Sequence, residues 1–458
     1  MSATAVPRPP VLLTAALVLL AVACKPSGDG MIALEGATLL DGSGSEPVKD
    51  ALILIKNGHI QTVARVNDVE VPRGAQVINL IGKTIIPGLI DAHAHVESWA
   101  GERYLAWGVT TVRDLGASST DSSIALKNAF NLGSLRGPRT FTSGAMIDGV
   151  PPTYSTATGV RTATEVRRAV DQRAVAGADY VKIYTKFTAD LLKPLMDEAN
   201  TLRLPVAAHL GKMDALTAAR AGIASLEHMA GVVQVASRNP GLYERAHDQF
   251  LRGWTTEEIG WALLDSASVA RTARELAATR VAIVPTLVVH EMLSRLDNPT
   301  LLLRPGMEDV PASATSVRDV AGLLRRTGWR SADFQAFRRS RARQNQFVRE
   351  YKRAGGLVAA GSDAANQLLV PGLSLHEEMS LLVAAGLTPT EAVTAATRKG
   401  AELLRADSLG RIAEGKVADL VVLDANPATD IAATRRIAWV MFRSRIVYPD
   451  SLRRTWGR

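Results

Sequence analysis

Apolar residues recur along the chain in short runs, and many of these runs close on a polar or charged residue. In order they are "PGLIDAHAH" (87–95), "VTTVRDLG" (109–116), "RTFTSGAM" (139–146), "YVKIYT" (180–185), "PVAAHLG" (205–211), "ASLEHM" (224–229), "VAIVPTLV" (281–288) and "LVAAGSDA" (357–364). Their length is that of strands, and near-continuous apolar strands suit a parallel sheet buried on both faces. Between them lie stretches with helical spacing, such as "TATEVRRAVDQRAVAG" (162–177) and "DALTAARAG" (214–222). Eight strand-like runs with helical connections predict an α/β fold, a (β/α)8 TIM-type barrel over residues 85–405.

Two flanks depart from this alternation. Residues 31–84, with "MIALEGATLLDG" and "DALILIKNGHIQTVA", read as short strands joined by turns. Residues 406–450, with "GRIAEGKVADLVVLDANP" and "AWVMFRSRIVY", read the same way. Together they predict a small β-sandwich built from both chain ends. The stretch from His228 to Asp363 is too long for two ordinary βα units. Residues near 237–280 and 297–350 read as helical insertions, and insertions on the C-terminal face of a barrel shape the substrate site.

Composition adds three constraints. Apolar residues make up 47% and charged residues 21% of the 458, which marks a globular chain rather than a disordered one. The run "PPVLLTAALVLLAVAC", from Pro9 to Cys24, follows Arg8 and is short for a membrane span, so it reads as an export signal. Its last residue, Cys24, is the single cysteine, which leaves the remainder without internal disulfides or thiolate metal sites. The "AVAC" ending resembles a bacterial lipobox. That resemblance implies that residues 1–24 are a signal, that Cys24 carries lipid, and that the protein is exported and held to the cell envelope, facing the periplasm. The formal net charge is +8, and residues 318–353 hold 11 Lys/Arg against 3 Asp/Glu. That segment reads as a solvated helical face, or as a contact for anionic lipid headgroups. No nucleic-acid-binding module with stacking aromatics is present in the pattern.

The chemistry concentrates at the ends of the apolar runs. In a strand, residues two apart point the same way, so His93 and His95 share one face. They stand at the C-terminal end of the first run, where barrels place their active sites. Two imidazoles aimed at one point suit a divalent metal. Lys182, His209, His228 and Asp363 stand at or near the ends of four other runs. A packed core does not account for four histidines, a lysine and an aspartate gathered at one rim.

The motifs "PGLIDAHAH", "VKIY", "AAHLG", "LEHM", "GSD" and "GRIAEGKVADLVVLD" together resemble the amidohydrolase superfamily, over nearly all of residues 31–448. The resemblance is to the branch of metal-dependent hydrolases that includes imidazolonepropionase and certain Xaa-Pro dipeptidases. It implies two divalent ions. His93, His95 and Asp363 would hold the more buried one, and His209 and His228 the more exposed one. Lys182 would bridge them as a carbamate formed with carbon dioxide. Zinc is the simplest occupant, although manganese, cobalt or iron suit the same ligands. The implied reaction is hydrolysis of a peptide-like or N-acyl C–N bond, in a dipeptide or N-acyl amino acid, by a metal-bridging hydroxide, with Asp363 as the catalytic proton carrier.

Alternatives on the same fold are a lactone or imidazolone ring hydrolase and a mononuclear deaminase. The deaminase pattern asks for Glu or Gln shortly after the fifth-strand histidine, where this chain has Leu210, Gly211 and Lys212. A metal-free binding protein is the non-enzyme alternative. Around the six ligands, Lys212 is a candidate for a substrate carboxylate, Tyr184 for a substrate hydrogen bond, and His290 for facing substrate or steadying the metal shell. His376 reads as structural, and His59 and His247 as surface residues. Self-association is common in the family resembled, so a homo-oligomer is compatible with the sequence.

Overall fold

A computed structural model describes residue 1, residues 29–116 and residues 118–456. The signal-like run and Cys24 lie outside the described residues. No helix among those described is long and apolar enough to cross a membrane.

The apolar runs form two parallel sheets. One joins Leu89–Ala94, Val109–Asp114 and Arg139–Thr142. The other orders Thr158–Gly159, Ile147–Asp148, Val181–Ile183, Val206–Ala208, Ser225–Glu227 and Ala282–Val284. Helices connect them, as the spacing predicts. Ala163–Ala176 begins with a Thr162–Glu165 capping box and stops at Gly177, whose φ of 88° needs a residue without Cβ. The eighth run enters no named strand. It makes isolated bridges, Val358 with Ile283 and Ala364 with Ala94. The seventh run is a strand only to Val284. Thr286 takes φ 46°, and the rest of the run turns into the helix Leu287–Leu293.

The chain ends meet in one mixed eight-stranded sheet. Met31–Leu39 pairs with Val48–Lys56, and that strand with His59–Arg65. Thr84–Pro87 runs parallel to the first strand and antiparallel to Leu420–Leu423, which continues to Ile437–Phe442 and Arg445–Val447. Strands from both chain ends share one strand order, the pairing of the two flanks that the sequence suggested. The sheet's core includes Leu34, Ile53, Ile85, Leu420, Val422 and Met441. Gly88 alone separates Thr84–Pro87 from Leu89–Ala94. A Cβ at Gly88 would fall 2.2 Å from Thr110 Oγ1, so only glycine lets the strand pass there and deliver His93 in register.

The two long intervals are helical. The first holds Pro240–Ala246, Phe250–Trp261 and Ser266–Ala278. The second ends in Val320–Thr327 and the 23-residue helix Ser331–Arg353, which buries Phe334, Phe337, Phe347 and Tyr351. Its positive charge is largely matched in place. Arg338 lies 3.1 Å from Asp297, Arg341 3.4 Å from Glu291 and Lys352 2.7 Å from Glu391. Arg353 lies 3.2 Å from Glu350.

Candidate metal centre

His93, His95, Lys182, His209, His228 and Asp363 all line one cavity of about 200 Å³, together with Tyr184. His93 comes from the first parallel strand, which places its side chain fully inside. His209 and His228 directly follow the strands Val206–Ala208 and Ser225–Glu227. Lys182 lies within Val181–Ile183 and is almost wholly buried. His228 and Asp363 both take left-handed backbone, φ 58° and 57°, and Thr286 does so beside them. Non-glycine residues pay for this conformation, and sites that must aim a side chain are where such strain is found.

His93, His95 and Asp363 are gathered so that one ligand atom of each lies within 4.8 Å of the others. Asp363 Oδ1 is 3.0 Å from His95 Nε2 and 3.3 Å from His93 Nε2. Its other oxygen accepts a 2.9 Å hydrogen bond from Asn366 Nδ2, which fixes the direction of Oδ1. The rings of His93 and His228 lie 4.5 Å apart, and those of His209 and His228 4.6 Å. Four buried atoms in this cluster, His93 Nε2, His95 Nδ1, Lys182 Nζ and Asp363 Oδ1, have no hydrogen-bond partner among the described residues.

Electrostatics favour neutral nitrogen at His209, His228 and Lys182, whereas at His95 the effect of burial is outweighed by the Asp363 carboxylate, which raises the imidazole. Burial holds His209 and His228 well below the ordinary imidazole range. Burial also lowers the Lys182 amine to about 8, against the pull of Glu227. For Asp363, burial raises the carboxyl, but the surrounding His228, His93 and His95 outweigh it and hold it well below the carboxylate range.

A layer of polar residues behind the ligands had no assigned role at the sequence level. Glu227 Oε2 sits 2.6 Å from His93 Nδ1, and Glu227 Oε1 sits 2.9 Å from Arg113 Nη2. Both are fully buried, and Arg113 also donates to Ser225 Oγ and the Ala92 carbonyl. This carboxylate fixes the tautomer of His93 and turns Nε2 toward the cavity. The signal was in view, since Glu227 is the acid inside "SLEHM". His228 Nδ1 is held in the same manner by Thr286 Oγ1 at 2.7 Å.

The outer candidates divide. Tyr184 lines the cavity, its ring 4.8 Å from that of His209. Lys212 does not line it; its ammonium pairs with Asp248, a partner 36 residues away. His290 also lies off the lining, contrary to a substrate-facing role. Its Nε2 is 3.2 Å from the His228 carbonyl, and its Nδ1 is 2.7 Å from Glu258. His247, read as a surface residue, is buried and packs 3.7 Å from Glu257, because the inserted helices fold over it. His376 is buried between Thr434 Oγ1 and the Trp107 carbonyl, and His59 is exposed in the end sheet. Tyr154, Phe250, Trp254 and Ser316 also line the cavity, as do Glu97, Met146 and Asn366, and the first four were not singled out by the sequence pattern.

Comparison with known proteins bears on the family and the fold. An imidazolonepropionase from Idiomarina loihiensis is 37% identical over 70 residues, which are 15% of this chain and only 17% of that curated relative. The solved structure of a Xaa-Pro dipeptidase with bound methionine in the active site has a TM-score of 0.65 at 22% identity, covering 91% of this chain and 100% of that one. The A. niger ochratoxinase has a TM-score of 0.66 at 19% identity, covering 92% of this chain and 96% of the other. At such identities the likeness is one of fold. The Amidohydrolase family model matches residues 84–447, most of the sequence and every candidate ligand within it, and the chain therefore belongs to the amidohydrolase family.

Proposed function

We propose that the protein is a binuclear metal-dependent hydrolase of peptide-like or N-acyl C–N bonds, of the dipeptide or N-acyl amino acid type. The observation that carries this reading is a cavity lined by six ligand-type side chains, in which the buried His93 Nε2, Lys182 Nζ and Asp363 Oδ1 have no hydrogen-bond partner among the described residues. Each such atom costs roughly 1–3 kcal/mol if left unpaired, so the arrangement calls for cations. Imidazoles and a carboxylate without thiolates suit zinc, with manganese, cobalt or iron as substitutes. His93, His95 and Asp363 would hold one ion, and His209 and His228 the other. Lys182 as a carbamate would be shared by both. When bound, the ions supply Lewis acidity toward a carbonyl and lower the pKa of water at the site.

The chain's own groups have distinct tasks. Neutral Lys182 joins its nitrogen to the carbon of carbon dioxide and sheds a proton, and its lowered pKa makes that form accessible near neutrality. Asp363 accepts a proton at Oδ1 from the attacking water and returns it to the leaving nitrogen, while Asn366 keeps that oxygen aimed. Glu227 and Thr286 hold two imidazoles in orientation. Tyr184, whose phenol burial pushes well above its ordinary value, remains a hydrogen-bond donor toward substrate.

The architecture proposed with this function is a (β/α)8 barrel with a sandwich from the chain ends. Its support is that residues 357–364 hydrogen-bond to Ile283 on one side and to residues 92–95 on the other. Export and a lipid anchor at Cys24 are proposed on the sequence pattern alone. The identity shared with an imidazolonepropionase keeps one second reading, opening of an imidazolone-type ring.

Metal content per chain, by plasma mass spectrometry on protein purified with bicarbonate, tests the reading. About two ions, falling sharply in Lys182→Ala, are expected, together with turnover of N-acyl amino acids or dipeptides. One ion indifferent to Lys182 would move the assignment to a mononuclear enzyme. No ion after reconstitution would make the protein a metal-free binder.

A further inference from the structure

The inner cavity, about 200 Å³, opens into a second one of about 840 Å³. The two share Tyr154, Phe250, Trp254, Ser316 and Asn366 in their walls. Drug-sized ligands fill roughly 300–1,000 Å³. The inner space therefore takes the scissile group and little more, and the bulk of a substrate must lie in the outer cavity.

The outer walls have a definite chemistry. An aromatic row leads outward from the metal ligands. The Tyr184 ring lies 4.8 Å from His209 and 5.7 Å from Phe250, and Phe250 lies 5.4 Å from Trp254. Beyond that row the lining contains two arginines, Arg252 and Arg326, and no carboxylate among the described residues. Arg252 has no ion pair within 4 Å among the described residues. Arg326 has one long contact, 3.5 Å to Asp319, with its side chain 54% exposed. Asp319 is already engaged in capping its own helix through the Gly322 amide. A pair of this length and exposure is worth about 0–1 kcal/mol, too little to hold the guanidinium against a better partner. Lys212, the cation that the sequence offered for a substrate carboxylate, is neutralised by Asp248 and lies off both linings.

We propose that the outer cavity is the subsite for the distal part of the substrate, an apolar or aromatic body ending in a carboxylate, with Arg326 and Arg252 reading the charge. The inference rests on the hydrolase reading for the word substrate, but not for the binding it predicts. It narrows the substrate class to acidic molecules long enough to reach from the metal ligands past Trp254. Neutral dipeptide amides and small cyclic amides would use only the inner cavity.

The test is isothermal titration of metal-loaded protein with the ketomethylene analogue of N-acetyl-4-(2-aminoethyl)benzoic acid, in which a methylene replaces the amide NH and the carboxylate stands at the far end of the aromatic body, and with its carboxamide. The two have one shape and differ by one charge; neither retains the scissile amide, and the carboxamide is checked by mass after titration for conversion to the acid. The acid should bind roughly tenfold tighter, about one charge-assisted hydrogen bond. In the Arg252→Ala/Arg326→Ala double variant the acid-to-amide ratio should fall to within about twofold, with metal content measured alongside. Arg326→Lys alone should keep most of it. Equal affinities in the wild type would overturn the proposal. So would a ratio that survives the double variant, since the metal ions would then be reading the carboxylate. Hydrolysis of N-acetyl-4-(2-aminoethyl)benzoic acid is assayed separately. Its absence beside an arginine-dependent ratio would sink the hydrolase reading alone, and turnover beside charge-indifferent binding would sink this one alone.

Discussion

His93, His209 and His228 stand on or directly after short buried strands, whereas Phe250, Trp254 and Arg326 stand on helices inserted between strands. The first group is fixed from behind. Glu227, backed by Arg113, and Thr286 leave the His93 and His228 imidazoles one direction to point. The second group is held by packing of helices whose polar sides face solvent, and its cations keep weak partners. The floor is thus built to hold a reactive geometry, and the outer wall to present a surface that can change without disturbing it. In a family whose members act on different substrates, that division separates reaction from selectivity.

The sharpest way to break the contrast is Lys182→Ala. On the proposed binuclear reading, loss of Lys182 should remove several kcal/mol of charge stabilisation, on the order of 10³-fold in kcat/KM, with metal content falling in step. Full activity with full metal content would mean that the floor does not depend on this lysine. Next comes Glu227→Gln, which keeps the shape and removes the charge behind His93. Metal affinity should weaken about 10–100-fold in a chelator competition, and melting should occur earlier because Arg113 is left buried without its counter-charge. Trp254→Ala probes the wall. It should raise KM about tenfold for an aromatic substrate, on the order of 1.4 kcal/mol, while kcat and metal content stay near wild type. A matching collapse of kcat would show that wall and floor are not separable.

A probe read in stability rather than in turnover is Glu378. Its Oε2 accepts the Val288 amide at 2.8 Å, and its Oε1 has no partner among the described residues. Burial raises this carboxyl from 4.5 to about 8. The folded state then keeps a proton that the unfolded state sheds above its ordinary value. The contribution to stability is complete below 4.5 and is lost as pH rises through 8, by at most about 1.4 kcal/mol per pH unit. Glu378→Gln should flatten that slope, leaving the variant more stable than wild type relative to pH 5 when both are melted at pH 8. An unchanged slope would show that another group sets it.

The same contrast explains what could be read from the sequence. The period of two in "DAHAH" puts His93 and His95 on one face by geometry alone, so the floor was legible from local pattern. Apolar run-ends likewise located Lys182, His209, His228 and Asp363. The run "VAIVPTLV" misled, because a short apolar stretch does not tell strand from helix. Only the left-handed Thr286 decides where the strand stops. Lys212 and His247 misled for another reason. Their surroundings, Asp248 and the helices covering Glu257, come from an insertion whose folding back no spacing rule encodes. The wall residues Phe250, Trp254 and Arg326 follow no period and carry no motif. The eighth run was recognisable by composition, yet it makes only isolated bridges.

The antiparallel pairing of Leu420–Leu423 with Thr84–Pro87 sets a schedule for the chain. During synthesis the segment "TIIP" emerges early and its sheet neighbour much later, so an apolar β-edge waits uncovered while the residues between are made. Such an edge is a template for pairing with another copy. A chain cut short before residue 420 would keep every candidate metal ligand and still be expected to aggregate.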